Sequence, residues 1–498
     1  MKVITTNDLI GAIQPQAKLE KQLKNFDLSY LASLAQDYVV NKPMVEMPKD
    51  IQAVKTYSRN PTLKQRSFYK KAEMAGRELV REGKVGAFLV AGGQGTRLGY
   101  DGPKGEYSVT PVKNKSLFQV FAEQLLSYSK EAGKTIPWYI MTSDINRTAT
   151  EKFFVENKYF GYNKSDIFFF EQGMMPAFDM TTGKLLLAEK DSLALSPDGH
   201  GGSLKALRVS GALADMQKRG IEHLSYFQVD NPMVHAIDYR FLGMHALTDS
   251  EMSSKVVPKV SATEKVGNFV VADGKVQVIE YSDMPEELAK TTNSDGSLKF
   301  NAGSIAIHAL SVKFIERLTS DGNLKLPWHR AEKKVAFLDA SGALVKPEKP
   351  NAVKLEQFIF DALPLAQNAL VYETDRAEEF SPVKNAEGND SPLTSRQHQV
   401  ARAQRWLKEL GVEVHPESVV EIDPLFAASR DQLKARKLEV EQIVASEKIY
   451  FGHTGIESSA TQPTRLPLPF GMFKKVGAVF TKFAKRAPKD TGAAGAQA

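Results

Sequence analysis

The stretch Val85–Lys104, which reads VGAFLVAGGQGTRLGYDGPK, decides the fold of the chain. Its apolar opening stops abruptly at Gly92-Gly93, which predicts a short buried strand followed by a glycine-rich turn. Glycines let the backbone approach a ligand closely, and successive N–H groups in such a turn form a concavity that binds anions. Because Arg97 and Lys104 add two cations beside it, the turn predicts a polyphosphate site.

Two familiar phosphate motifs do not fit this stretch. No window supplies the Gly-x-x-x-x-Gly-Lys-Ser/Thr of a Walker loop, and the Rossmann fingerprint lacks its third glycine because Leu98 stands there. The remaining string, Ala-Gly-Gly-x-Gly-Thr-Arg-Leu-Gly followed by Pro103-Lys104-Gly105, looks like the signature of nucleotidyltransferases that make nucleotide sugars. A glycine-rich surface hairpin is the alternative, and the spacing of the two cations favours the functional interpretation.

Composition narrows the class of protein. The 498 residues suggest two or three domains, and the absence of cysteine excludes disulfides, thiol nucleophiles and cysteine metal sites. The N-terminus lacks the apolar core of a signal peptide, and no apolar run approaches the roughly 20 residues that span a bilayer. We therefore expect a soluble cytoplasmic protein without a transmembrane segment. The net charge of +6 permits nucleic-acid binding but equally suits phosphorylated substrates.

From Lys84 onward the pattern alternates between strands and helices. The strand candidates are Val85–Ala91, Trp138–Thr142, Ile167–Glu171 and Ser225–Asp230, and the helix candidates are Leu117–Ala132, Thr148–Asn157 and Ser203–Arg219. Such alternation predicts a largely parallel sheet covered by helices, with ligands beyond the carboxyl ends of the strands. We therefore expect the glycine turn, Gln172, the loop 197–202 and Asp230 to meet at one edge.

Four regions are predicted along the chain. They are an N-terminal helical domain (1–83), a central domain (84–385), a smaller C-terminal domain (386–464) and a basic, partly disordered tail (465–498). Within the central domain, Phe269–Val271 and Val276–Tyr281 flank Asp273-Gly274, which predicts a hairpin. The basic aromatic segment Phe470–Arg486 suits an anionic membrane or nucleic acid, but a packed helix or solvated tail is the simpler interpretation, and we expect no nucleic-acid partner.

Several separate strings give the chain a family resemblance from about Val85 to Arg396. They include Leu89 to Lys104, Glu171 to Met174, Pro197 to Gly202, Val229 to Asn231, Val278 to Ser282, Phe300 to Gly303, Lys346 to Asp361 and Glu379 to Asn385. Together they resemble eukaryotic-type UDP-N-acetylglucosamine pyrophosphorylases, within the wider group of UDP-sugar pyrophosphorylases. The resemblance implies an α/β, nucleotide-sugar transferase-like (Rossmann-like) fold. Its mixed, mostly parallel central sheet would be covered by helices and flanked by smaller N- and C-terminal domains.

The resemblance also implies roles in UTP binding. Val90, Ala91, Gly92 and Gly93 would line the nucleotide site, while Lys104 and Arg97 would hold its phosphates. Gln172 and Gly199 would read the polar edge of uracil. Asp230 would bind a divalent metal, Mg²⁺ or Mn²⁺, together with phosphate oxygens, a ligand mix that magnesium favours. Even without the resemblance, Asp230 is a candidate because strand ends carry ligands.

A second group of roles concerns the sugar phosphate. Glu280, Tyr281 and Asn301 would contact sugar hydroxyls, and Phe358 and Phe360 would shape the pocket for the sugar substituent. Lys354 and Lys384 would bind phosphates near the reacting centre. Taken alone, these residues are unremarkable, since glutamate is a common surface charge and paired phenylalanines are more often core residues. Only the strings around them indicate function.

One position departs from the family pattern. The N-acetylglucosamine enzymes carry asparagine where this chain has His200, whereas relatives that use glucose 1-phosphate carry Gly-His-Gly. Histidine is bulkier and offers different hydrogen bonds. The strings around Glu280 and Asn301 still favour an N-acetylhexosamine, and His200 could serve either sugar through a water.

The resemblance therefore implies a uridylyltransferase that makes a UDP-sugar and pyrophosphate from UTP and a sugar 1-phosphate, by direct in-line attack on the α-phosphorus. N-acetylglucosamine 1-phosphate is the favoured acceptor, and a UTP–glucose-1-phosphate uridylyltransferase or a broad UDP-sugar pyrophosphorylase is the alternative. A nucleotide-sugar-binding protein without catalysis is a different class, against which the intact Lys104, Asp230 and Lys384 argue. We expect a monomer or a weak homo-oligomer.

Overall fold

The computed structural model describes residues 4–10, 17–42, 47–48, 50–320, 324–339, 341–412, 414–436 and 447–458. The predicted basic tail, 465–498, lies outside these residues. Within them, no helix combines the length and apolar character needed to cross a membrane.

A ten-stranded mixed sheet forms the centre of the molecule. In chain order its strands are β1 (Gln52–Ala53), β2 (Val85–Val90), β3 (Trp138–Thr142), β4 (Ile167–Glu171), β5 (His223–Gln228), β6 (Met252–Pro258), β7 (Asn268–Ala272), β8 (Lys275–Ile279), β9 (Ala302–Ser311) and β10 (Ala369–Glu373). The spatial order is β1-β7-β9-β5-β2-β3-β4, with β6 pairing with β9 and β10, and β8 with β7. The pairs β5-β2, β2-β3, β3-β4 and β6-β10 are parallel, and β9 joins the two parallel groups by antiparallel pairing.

Helices cover both faces of this sheet. One face carries Arg66–Arg81, Leu117–Ala132, Arg147–Glu156 and Tyr239–Leu247, and the other carries Ser203–Val209, Ala212–Arg219 and Val312–Leu318. Strand β3 shows why its sequence is apolar throughout, because Trp138 and Ile140 enter one core while Tyr139 and Met141 enter the other. The predicted α/β fold is thereby confirmed.

Local signals set most element boundaries. The helix Leu117–Ala132 begins after Ser116, whose Oγ accepts a hydrogen bond from the N–H of Gln119, and it ends at Gly133 in the left-handed region (φ 70°). The predicted hairpin is present as β7 and β8, and Asp273 and Gly274 at its turn both have positive φ.

One predicted helix is split in the structure. The segment Ser203–Arg219 forms two helices, Ser203–Val209 and Ala212–Arg219, because Gly211 adopts a φ of 84° between them. A helix cannot continue through a left-handed residue, and glycine is the residue that adopts this conformation without strain.

Smaller units surround the central sheet. The N-terminal helices are Thr6–Ile10, Ala17–Leu23 and Leu28–Leu34, and the last two pack with buried residues of the segments 175–193 and 353–355. A three-stranded sheet joins His329–Lys333, Ala352–Glu356 and Phe178–Asp179, and short hairpins pair Met174–Pro176 with Leu195–Pro197, Leu187–Glu189 with Ser192–Leu193, and Phe337–Leu338 with Leu344–Val345. Short helices lie at Glu286–Ala289 and Arg376–Glu379.

The C-terminal part combines helices with a sheet that the sequence did not predict. The helices are Pro392–Glu409 and Arg430–Ala435, and the strands Val419–Ile422, Lys448–Gly452 and Gly455–Ser458 form a three-stranded sheet. Its strands are only four or five residues long and carry little periodic signal, so the sequence does not predict them. The domain boundaries as a whole stay a prediction.

Candidate active site

The carboxyl ends of four parallel strands lie at one edge of the sheet. Gln228 pairs with Val90, Val90 with Met141, and Thr142 with Glu171. The segments that follow these strands therefore start side by side, as expected for a doubly wound sheet. They bring Gly92, Gln172 and Asp230 to the same edge, as the sequence predicted.

The glycine turn is held by hydrogen bonds to its carbonyl groups. The Ser143 Oγ donates to the Gly92 carbonyl (3.0 Å), and the Lys104 N–H donates to the Gly93 carbonyl (3.1 Å). A Cβ on Gly92 would lie 2.9 Å from the Gln172 side-chain nitrogen, so a larger residue there would displace the Gln172 amide. These two hydrogen bonds fix the main chain of the turn at Gly92 and Gly93.

Three cations and one carboxylate share the space beside this turn. Burial lowers the pKa of Lys104, and the nearby Arg97 and Lys384 lower it further, while Asp230 opposes them. Lys104 is half-buried and Arg97 is exposed. Since three cations face one anionic partner, the group carries an excess positive charge suited to a polyphosphate.

Of the two predicted uracil-reading residues, Gln172 lies next to the glycine turn and Gly199 lies against Gln357. Gln172 follows β4, is 9% exposed and packs its amide against Gly92. Gly199 has a φ of 88°, and a Cβ there would lie 2.4 Å from the Gln357 carbonyl oxygen. Gln172 and the loop after Pro197 are joined through Gly173, whose carbonyl accepts a hydrogen bond from the N–H of Asp198 (3.0 Å).

A cavity beyond the strand ends collects most of the predicted sugar-site residues. His200, Asp230, Glu280, Tyr281, Phe360 and Lys384 line it. Burial raises the pKa of Glu280, and the neighbouring Asp283 raises it further, whereas Lys384 and His329 lower it. The cavity therefore combines an apolar wall with the carboxyl groups of Asp230 and Glu280 and the ammonium group of Lys384, a combination that suits a sugar bearing a phosphate.

The aromatic wall of the cavity is built around His200. Its ring stacks on Phe358 (centroids 5.3 Å apart, 22° between planes) and meets Phe360 edge-on at 6.0 Å. The His200 Nδ1 accepts a hydrogen bond from the N–H of Ile359 (3.1 Å), so the neutral ring carries its proton on Nε2. Burial lowers the pKa of His200 to about 4, and the nearby His329 lowers it further, so the ring stays neutral near pH 7.

Two predicted site residues are not grouped with the others. Asn301 is exposed at the start of β9, and its carbonyl accepts a hydrogen bond from the N–H of Lys259 (2.8 Å). Burial lowers the pKa of Lys354, whose charged neighbours are Glu356 and Lys333 rather than the cations beside the glycine turn. Their roles stay predictions.

Sequence reasoning missed three residues that shape the site. Asn146 donates from Nδ2 to the Ala91 carbonyl (2.8 Å), and Asn231 bridges two main-chain groups behind Asp230. His329 stacks on Phe358 at 4.4 Å and contacts Asp361 at 2.8 Å. Both asparagines follow buried strands, a signal that was available, whereas nothing in the sequence places His329 beside Phe358.

The protein side chains near Asp230 suit a magnesium ion only if substrate phosphates supply further ligands. Across the described part of the chain, no group of three or more His, Cys, Asp or Glu residues could hold a metal. Asp230 is a half-buried carboxylate lining the cavity, and its main chain is fixed because its carbonyl accepts a hydrogen bond from the Val383 N–H (2.7 Å). Magnesium commonly binds through one or two carboxylates together with substrate phosphates, so Asp230 fits that group.

Comparison with known proteins agrees with this geometry. The family model described as UTP–glucose-1-phosphate uridylyltransferase matches residues 29–443. A UDP-N-acetylglucosamine pyrophosphorylase from Saccharomyces cerevisiae is 40% identical over 73% of this chain and 78% of that protein. A UDP-N-acetylhexosamine pyrophosphorylase-like protein 1 from Xenopus tropicalis is 37% identical over 80% of this chain and 78% of its own length.

A solved structure shows the same fold. The uridine diphosphate N-acetylglucosamine pyrophosphorylase from Trypanosoma brucei, in complex with an inhibitor, superposes with a TM-score of 0.76 at 24% identity, covering 90% of this chain and 95% of the other. The sheet edge, the glycine turn and the matched family model define a nucleotidyltransferase. The chain belongs to the UTP–glucose-1-phosphate uridylyltransferase family.

Proposed function

We propose that this chain transfers the uridylyl group of UTP to N-acetylglucosamine 1-phosphate, forming UDP-N-acetylglucosamine and pyrophosphate. The observation that carries the proposal is the cluster of Arg97, Lys384 and Asp230 around Lys104 beside the glycine turn. Relatives named for UDP-N-acetylglucosamine and UDP-N-acetylhexosamine support the choice of sugar.

The reaction needs no protein nucleophile. A phosphate oxygen of the sugar 1-phosphate attacks the α-phosphorus of UTP, a new P–O bond forms, and the bond to the bridging oxygen breaks as pyrophosphate leaves. Because both reactants are anions, the protein must neutralise charge and align the attack. Lys104 and Arg97 would offset the charge growing on pyrophosphate, and Lys384 would hold the acceptor phosphate against the α-phosphate.

Asp230 would hold a divalent cation, Mg²⁺ or Mn²⁺, through its carboxylate, and the bound ion would supply further neutralisation of phosphate charge.

We also propose a cytoplasmic location, since a chain without cysteine suits a reducing compartment.

Glu280 and Tyr281 would orient the sugar, and Phe360 with the His200 ring would enclose its substituent. Gln172 and Gly199 would bind uracil.

Glucose 1-phosphate is the alternative acceptor, and His200 is the residue that favours it. A UTP-dependent assay of pyrophosphate release should compare the 1-phosphates of N-acetylglucosamine, N-acetylgalactosamine, glucose and galactose. We expect N-acetylglucosamine 1-phosphate to give the highest kcat/KM. A higher value for glucose 1-phosphate would support the alternative, and no release with any of the four, despite measurable UTP binding, would indicate a binding protein.

A further inference from the structure

A buried group of charges lies behind the candidate site. Lys255 on β6 is 1% exposed, and its Nζ lies 2.6 Å from both the Asp238 and the Glu379 carboxylates. Glu379 is 3% exposed and also accepts a hydrogen bond from the Thr374 hydroxyl. Since an unpaired buried charge is costly, these partners hold Glu379 at one position.

Asn231 connects Glu379 to the end of β5. Its Nδ2 donates to the Glu379 carbonyl (2.7 Å), and its Oδ1 accepts from the N–H of Ser381 (3.1 Å). Asn231 is 4% exposed, so both hydrogen bonds are shielded from water. Next to it, the carbonyl of Asp230 accepts from the Val383 N–H (2.7 Å). Three hydrogen bonds therefore fix the segment 379–383 to the Asp230-Asn231 dipeptide.

Lys384 is the residue that follows this fixed segment. It lines the cavity together with Asp230 and Glu280 and lies close enough to Lys104 to lower that residue's pKa. The main chain of Lys384 is held on its other side, where its N–H donates to the Asp390 carbonyl (2.7 Å). The position of the Lys384 ammonium group thus depends on how the segment before it is held.

We infer that Asn231 is a positioning residue that fixes the segment 379–383 and so sets where Lys384 meets the substrate phosphates. The inference rests on the proposed function, because it assigns Lys384 to those phosphates. Both polar atoms of the Asn231 amide are bonded to the main chain of this segment, so its role is to hold the segment. Misplacing a catalytic group by about 1 Å can cost on the order of 10²-fold in rate, so the amide affects turnover through geometry alone.

A double-mutant cycle on the full-length protein tests this inference. We expect Asn231→Ala to lower kcat about tenfold with little change in the KM for UTP, and Lys384→Met to lower it about 10²-fold. If Asn231 acts through Lys384, adding Asn231→Ala to Lys384→Met should lower kcat by less than about twofold further.

Asn351 provides a matched control. Its amide also bridges two main-chain groups, accepting from the Val335 N–H (2.8 Å) and donating to the Val335 carbonyl (3.0 Å), but it lies outside the segment 379–384. The effects of Asn351→Ala and Lys384→Met should multiply. If the effects of Asn231→Ala and Lys384→Met also multiply, or if Asn231→Ala leaves kcat unchanged, the inference is wrong.

A milder variant covers the case in which Asn231→Ala does not fold. Thr374→Val removes only the hydroxyl that donates to Glu379, and it should lower kcat about threefold in the wild-type background and not in Lys384→Met. An equal loss in both backgrounds would overturn the inference. A wild-type protein without turnover would instead refute the proposed function, so the two failures are distinguishable.

Discussion

Lys104 is the side chain to which we assign the leaving pyrophosphate. Burial lowers the pKa of Lys104, and the two nearby cations lower it further despite Asp230, so a negatively charged ligand would stabilise its charged form. Folding brings these charged groups together before any substrate binds. Such preorganised charge is a large contribution to catalysis in sites that stabilise developing negative charge.

We therefore expect Lys104→Ala to lower turnover about 10²-fold or more, in both the forward reaction and pyrophosphorolysis. Steady-state assays of pyrophosphate release and of UTP formation measure the two directions. Lys130→Ala, at an exposed lysine near the end of Leu117–Ala132, serves as the control and should leave both rates unchanged. Near-normal pyrophosphorolysis by the Lys104 variant would contradict the assigned role.

His200 is the residue that we expect to influence which sugar 1-phosphate is preferred. Its Nδ1 is occupied by the Ile359 N–H, so only Nε2–H remains free to contact a ligand, as a donor. Asparagine at this position offers both a donor and an acceptor and is smaller. We expect His200→Asn to raise the ratio of kcat/KM for N-acetylglucosamine 1-phosphate over glucose 1-phosphate by about 10-fold, as one hydrogen bond and a change in size allow.

The measurement is kcat/KM of the variant for the same four sugar 1-phosphates, from UTP-dependent release of pyrophosphate. An unchanged ratio would show that His200 does not set the preference. The control is His415→Asn, because the His415 Nδ1 accepts a hydrogen bond from the Glu417 N–H and the residue is not among those that line the cavity.

At the scale of whole elements, two helices pack in direct backbone contact. The helix Arg66–Arg81 lies so close to Tyr239–Leu247 that a Cβ on Gly76 would lie 1.7 Å from the Tyr239 carbonyl oxygen. The contact is reciprocal, because a Cβ on Gly243 would lie 1.7 Å from the Ala72 carbonyl oxygen. Both helices would have to separate to admit a methyl group.

Helix propensity and packing predict opposite effects of Gly76→Ala. Propensity alone would stabilise the helix by about 1 kcal/mol, whereas overpacking costs about 1–3 kcal/mol or more. Because the clash is with backbone, we expect packing to dominate and the free energy of unfolding to fall. Chemical denaturation measures it, and a more stable variant would refute the close contact.

The loop after Pro197 gives a pH-dependent prediction. The Asp198 carboxyl is pressed between Gly173 and Gly202, and burial raises its pKa from 3.8 to about 7. Between these values the folded protein binds more protons at this group than the unfolded chain does. Its contribution to the free energy of unfolding therefore falls as pH rises from about 4 to about 7 and is constant above that.

Asp198→Asn should remove this contribution. We expect the difference in unfolding free energy between wild type and variant to change from pH 5 to pH 8, with the variant gaining relative stability at pH 8. Urea denaturation at the two pH values provides the measurement. A difference independent of pH would show that the carboxyl is ionised in both states.

At the scale of the whole molecule, a buried ion pair between Lys115 and Asp423 joins the C-terminal part to the central one. Lys115 Nζ lies 2.6 Å from the Glu123 carboxylate and 3.2 Å from the Asp423 carboxylate, and all three side chains are less than 10% exposed. Glu421 adds hydrogen bonds from the N–H groups of Val112 and Lys113. These contacts fix the segment from Val112 to Lys115, which follows the glycine turn in the chain.

Removing Lys115 leaves the buried Glu123 and Asp423 carboxylates without their shared lysine. Lys115→Met should destabilise the protein by about 3–5 kcal/mol, which is typical of breaking a buried ion pair from one side. Lys18→Met removes an exposed pair with Glu189 and should leave the denaturation midpoint unchanged. Equal midpoints for both variants would contradict the role of the buried pair.

The sequence by itself determined the elements whose signal is local. The apolar run before Gly92, the Asp273-Gly274 turn and the glycine string with its cations all appear where predicted, because strand burial, turn conformation and motif spacing depend on neighbouring residues. The same strings indicated the family, which the comparisons confirmed. Helix continuity across Gly211 was the exception, since a single backbone angle decided it.

Only the tertiary structure decided which distant groups meet. The bridge from Asn231 to Ser381, the stack of His200 and His329 on Phe358, and the contact of Gly76 with Tyr239 each join residues at least 29 positions apart in the sequence. The physical reason is that such contacts depend on the register and spacing of packed elements. The register and spacing of packed elements cannot be predicted from the periodicity of any one segment.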